Sequence, residues 1–359
     1  MRTEILEIIA SNVPSLDTLW NLLRASPRYW RIFAIRYATI TESVLSGPNS
    51  ITPSLVAEII RAVALVRTQD FPFQSLRDFE SNFIEGIAHP YFRIPNPYFD
   101  YTCITIGPNS LPDSRDVIRS VVATAYHISV LAQSLLASCI KRLKRSNLNC
   151  LPPDPEPRPP YLSEVIDGMG QPTYLEEMRA VRALWIKQLM GEVKAMVKSR
   201  PDVVRWTDDE ASRLSQMNPV TILPHGEWDH VAAEVRTMMY YLPACYTNDT
   251  VFRLPQAPTP SKCNRWETMP PERLRGGEYY LRFASYGCNL LHGADSTVSD
   301  RLPQLGFAFW EYARMHCLGL AKGLPSQTPS YHHLVLRGVC ENTFITIKLK
   351  FRDCTLALF

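Results

Sequence analysis

The chain has 359 residues, 46% hydrophobic and 10% aromatic, enough for one large or two ordinary globular domains and too apolar for a disordered protein. Its net charge of +3 is too small to single out nucleic acid or an acidic membrane as a partner. The nine cysteines are scattered with no Cys-x-x-Cys pair, and no export signal is visible, the pattern of reduced thiols in a cytoplasmic or nuclear protein rather than of a disulfide framework.

Residues 1–45 predict three short helices, each with a start signal. Thr3 and Glu4 open the first with a hydroxyl and an acid. Pro14-Ser15 breaks the chain and caps the second, and Ser26-Pro27 caps the third with proline at its first helical position. Each helix carries an apolar stripe: Ile5, Leu6 and Ile9; then Leu16, Leu19, Leu22 and Leu23; then Trp30, Phe33, Ala34 and Tyr37. So short a segment cannot bury that surface by itself. The rest of the chain or a second protein must cover it.

These residues carry a family resemblance. Glu4-Ile5-Leu6, Ile9, Val13-Pro14, Asp17, Leu19, Leu22 and Ser26 through Trp30-Arg31 resemble the F-box, in particular the F-box-like N-termini of large fungal families. The resemblance implies an adaptor that links a protein substrate to a Skp–cullin ubiquitin ligase. It implies that Ile5, Leu6, Ile9, Val13, Pro14, Leu16, Leu19, Leu22, Leu23 and Trp30 bind the Skp-type adaptor protein. Such a subunit holds two proteins together and has no catalytic residue of its own. The family's opening Leu-Pro is replaced here by Met1-Arg2. That departure favours an alternative, a non-catalytic scaffold whose F-box-like helices pack only against its own body. A third reading is an all-helical enzyme whose site leaves no motif.

The body is expected to be irregular and α-helical. In its first half, 46–148, Thr52-Pro53 opens a helix to about Arg67, with Leu55, Ile59, Ala62, Val63 and Val66 on one face. Phe71 to Tyr101 is dense in aromatics and prolines, helical over Leu76–Ala88, and reads as core filling rather than a ligand platform. Ser120 to Ile140 has no charged residue and is followed by Lys141-Arg142-Leu143-Lys144-Arg145. Its length would suit a membrane span, but its recurrent Ser, Thr, His and Gln mark a buried core helix.

Residues 149–165 form a proline-rich linker to the second half, 166–326. There Thr173-x-x-Glu176 and Thr207-x-x-Glu210 are capping boxes. Leu175, Met178, Val181, Trp185, Leu189 and Val193 form an apolar face, and His230–Tyr241 is helical. Glu177–Leu189 and Leu302–Gly319 also resemble recurring helices of the same fungal families, with Trp185 and Trp310 expected in the core. The last segment, 327–359, changes period. Leu334–Val339 and Thr343–Phe351 alternate like the strands of a C-terminal β-hairpin, or form a tail without a partner sheet.

No pattern carries catalytic or metal chemistry. His225 and His230 are five apart, where a helical metal pair needs four. There is no Gly-x-Ser-x-Gly and no glycine-rich phosphate loop. The expectation is therefore no cofactor and no metal. Lys141–Arg145 is an isolated basic run, so nucleic acid is not expected as a partner. The protein substrate is not readable from the residues.

Overall fold

The computed structural model describes residues 3–88, 103–145, 170–223, 230–245, 305–311 and 314–315. Of the interpretable residues 74% are helical, and no strand occurs among those described. The proline-rich linker and the strand-like tail lie outside the described residues, as do His225 and most of Leu302–Gly319.

The three N-terminal helices are α1 (Thr3–Ser11), α2 (Leu16–Ala25) and α3 (Pro27–Ser46). Ser15 caps α2, its Oγ accepting from the Thr18 backbone N–H at 3.4 Å. Pro27 sits at the start of α3, where its missing N–H costs nothing. The helix breaks at Arg36, whose φ of −118° and ψ of 23° leave the helical region. The break lets α3 pack on α1 and α2 and also lie along the body.

The body is built on two long helices, α6 (Arg115–Arg145) and α7 (Tyr174–Ser199). Between α3 and α6 come α4 (Ser54–Thr68), a π-helix (Asp78–Ile84) and the short α5 (Glu85–Ala88). After α7 come α8 (Pro201–Val204), α9 (Asp208–Gln216) and α10 (His230–Cys245). Both capping boxes form in full: the Thr hydroxyl accepts from the third backbone N–H, and the Glu carboxylate accepts from the Thr backbone N–H. Four orphan N–H groups therefore find partners by local sequence alone.

α6 is long and apolar enough to cross a bilayer by length and composition. In this fold α2, α3, α4, α7 and α10 pack around it. Ile118, Val121, Val122, Ile128, Leu135, Leu136 and Cys139 are buried along it. α7 is enclosed by α4, α6, α8, α9 and α10. One continuous hydrophobic core runs from Leu6 in α1 to Met315.

The aromatic stretch fills that core: Phe73, Phe79 and Phe83 are fully buried, the Phe73 ring centroid lying 5.0 and 5.2 Å from those of Phe79 and Phe83, and Phe71 meets Trp206 edge-on. Trp185 and Trp310 are buried, as the sequence predicts. Residues 305–311 turn tightly against α6. Gly306 has φ +72°, and a Cβ there would lie 2.7 Å from that of Cys139, so both the backbone angle and the close approach require glycine.

Candidate functional site

α1 has two apolar faces. Leu6 and Ala10, at i and i+4, point into the core, and Val13, just beyond the helix end, packs against it. Ile5, Ile8 and Ile9, at i, i+3 and i+4, point to solvent with 46%, 61% and 39% of their surfaces exposed. The sequence stripe Ile5, Leu6, Ile9 is thereby split between the two faces. On α3, Ile35 is 74% exposed. Arg36 beside it reaches Glu7 of α1 at 3.8 Å, across the contact between the two helices. Among the described residues only Tyr240 joins these four isoleucines as an exposed large hydrophobic.

The other candidate contact residues lie elsewhere. Leu16, Leu19 and Leu23 are buried, with Leu19 wholly inaccessible. They belong to α2, which packs on α6 and α3. Val13, Leu22 and Trp30 are half-buried against the same core. Pro14 is half-buried, and its carbonyl accepts from the Ile51 N–H at 2.9 Å. Of the ten residues expected to bind an adaptor, only Ile5 and Ile9 are freely exposed. Ile8 and Ile35 were not among the expected ten. Ile8 could have been found from its i+3 spacing to Ile5, whereas nothing in the local pattern of α3 sets Ile35 apart from buried Ile32.

A second feature lies where the head meets the body. Asp17 of α2 and Glu177 of α7 line a small cleft with Ser15, Thr52, Ser129 and Trp185. Its volume is about 50 Å³, room for a few waters and no larger ligand. Burial pushes the Asp17 carboxyl above its usual range, opposed by the Ser15 hydroxyl. Burial raises Glu177 as well; the Gln133 amide, donating at 3.0 Å, opposes this and the Asp17 charge reinforces it. The two acids sit on separate elements in a cleft otherwise lined mainly by apolar side chains, among them Leu16, Val56, Ile60 and Met178, and among the described residues no lysine, arginine or histidine lines it.

The third group of polar residues is entirely internal. Glu176 accepts from Arg314 Nε at 2.8 Å, from its Nη2 at 2.7 Å and from the Glu311 N–H at 3.0 Å. Arg182 donates to both oxygens of Glu234 at 2.6 and 2.8 Å. Arg179 donates to the Phe309 carbonyl at 2.6 Å. All are buried. These ion pairs are fully hydrogen-bonded and closed to solvent, an arrangement suited to fixing helices rather than to meeting a ligand. Among the described residues no group of three His, Cys, Asp or Glu side chains could hold a metal ion.

Comparison of the chain with protein-family models, curated proteins and solved structures finds no match.

Proposed function

We propose that the chain is a non-catalytic protein-binding subunit whose N-terminal head docks a partner through the outer face of α1 and Ile35 of α3. The observation that supports this is the concentration of exposed isoleucines. Four of the five exposed large hydrophobics among the described residues, Ile5, Ile8, Ile9 and Ile35, lie on two adjacent helices. α1 is apolar on its solvent side as well as on its core side, and exposed large hydrophobics grouped on adjacent helices mark an interaction site. The F-box resemblance names the partner class, a Skp-type adaptor of a cullin ubiquitin ligase. The mechanism is then proximity: the head holds the ligase and the body holds a protein substrate.

Within this reading the contact set becomes Ile5, Ile8, Ile9 and Ile35, while Leu6 packs α1 within the head and Leu16, Leu19 and Leu23 hold α2 to the body. Pull-down of a purified Skp-type adaptor by the full chain tests it. Ile5→Asp with Ile8→Asp places two charges in the interface and should abolish capture, with the far-ultraviolet dichroism unchanged because both side chains are solvent-exposed. Capture that survives the double change would overturn the proposed contact surface.

The scaffold reading draws on a different observation, the burial of Leu16, Leu19 and Leu23 on the protein's own body. Absence of adaptor capture by the unaltered chain would select it.

A further inference from the structure

The head carries a second surface of different chemistry, set by arginine. Arg24 ends α2, Arg28 and Arg31 begin α3, and Arg119 lies on α6 where that helix packs against both. All four side chains are exposed. Among the described residues none has a carboxylate within 4.0 Å. The acids nearest Arg119 in sequence, Asp113 and Asp116, have other partners. Asp113 accepts from the Tyr37 hydroxyl, and Asp116 lies 3.7 Å from Arg115.

Two of the guanidinium groups are held in place by aromatic rings. Arg119 lies 5.2 Å from the Trp30 ring centroid, and Trp20 meets Trp30 edge-on at 6.1 Å. Arg24 lies 5.7 Å from the Tyr126 centroid. Arg119 and Tyr126 are seven residues apart on α6 and share a face, roughly 10 Å apart along the helix. Stacking on a ring orients a guanidinium without using its N–H donors. The two forks are therefore set at a fixed spacing with their hydrogen-bonding edges open.

We propose that this α2–α3–α6 corner is a docking site for an acidic peptide segment of a partner protein, read by Arg24 and Arg119 with Arg28 and Arg31 beside them. Charge complementarity selects the occupant. Guanidinium forks match carboxylates bidentately, and four exposed arginines on adjoining helices, none with a carboxylate partner among the described residues, favour a run of them. Nucleic acid would use the rings themselves, by stacking bases on them. Here Arg24 and Arg119 each lie over a half-buried ring, so an incoming base would have to displace the guanidinium before it could stack. This surface does not depend on the adaptor assignment, which concerns the isoleucine face.

The test is fluorescence anisotropy of a labelled oligoglutamate peptide titrated with the full chain at low ionic strength. Binding should weaken as salt is added. Arg24→Gln with Arg119→Gln should weaken it at least about tenfold, the loss of roughly one charge-assisted contact. Arg24→Lys with Arg119→Lys keeps the charge but not the fork and should lose less. Lys141→Gln with Lys198→Gln removes the same charge from exposed positions elsewhere and should change little. The proposal is overturned by an unchanged affinity in the glutamine pair, by an equal loss in the lysine control, or by equal binding of an oligoserine peptide. Tighter binding of an oligothymidylate of matching charge would also overturn it, in favour of nucleic acid.

Discussion

At the scale of single residues, Glu177 and Asp17 give the clearest consequence. Both carboxyls have folded values raised by burial, and among the described residues no cation lines the cleft they share. A raised carboxyl makes the native state bind protons more readily than the unfolded chain. Its contribution is therefore most favourable below about pH 4, the ordinary carboxyl range, and is lost as pH rises through the raised value. Glu177→Gln removes that titration while leaving an oxygen to accept from Gln133. The variant should melt with the wild type near pH 4 and above it at neutral pH, by roughly 2–4 °C for each kcal/mol relieved. Melting curves at the two pH values check this; a gap that widens toward acid would refute it. Leu19 shows the reverse case. It is wholly buried, so Leu19→Ala should cost about 2–5 kcal/mol in denaturant titration, and a charge there would unfold the head rather than merely release a partner.

At the scale of elements, what was legible followed sequence distance. The two Thr-x-x-Glu boxes specify their helix starts within four residues, and both form. Ser15 and Pro27 likewise mark the starts of α2 and α3. The facing of α1 was not legible. Ile5, Leu6, Ile8, Ile9 and Ala10 surround a nine-residue helix, so periodicity offers two apolar faces and only packing against α3 chooses between them. The π-helix at Asp78–Ile84 and the break at Arg36 were also unreadable, because each is a local departure stabilised by long-range packing. The α9 cap has a measurable value. Glu210 serves the Thr207 N–H and also accepts from the Leu76 N–H at 3.1 Å. Thr207→Ala should cost about 1 kcal/mol, within the usual 0.5–2, and a loss below a few tenths would mean that α9 is held by its contact with α7 alone.

At the scale of the whole molecule, the sequence identified α7 as a capped helix with one apolar face but hid its central position. Glu176, Glu177 and Arg179 lie outside that apolar face, Arg182 interrupts it, and all four are buried. Their partners come from far along the chain, 52 residues for Glu234 and 138 for Arg314, beyond any local window. The ion pairs thus select which distant segments dock on α7, while the surrounding Trp185, Leu189 and Trp310 supply the burial energy. This division of labour can be measured at Arg182 and Glu234, where the pair is 2.6 Å apart and its side chains are 3% and 0% exposed. Removing one partner, as in Glu234→Gln, leaves a buried guanidinium without its counter-charge and should cost about 3–5 kcal/mol. Replacing both, as in Arg182→Met with Glu234→Leu, removes the desolvation penalty of two ions and should return stability to within about 1–2 kcal/mol of the wild type. If α10 is positioned by this pair, the double variant will stay folded yet show faster amide exchange in His230–Tyr241 than the wild type. Equal destabilisation by the single and double changes would mean instead that Arg182 and Glu234 are the principal source of stability for this helix pair, and not a device for choosing its partner.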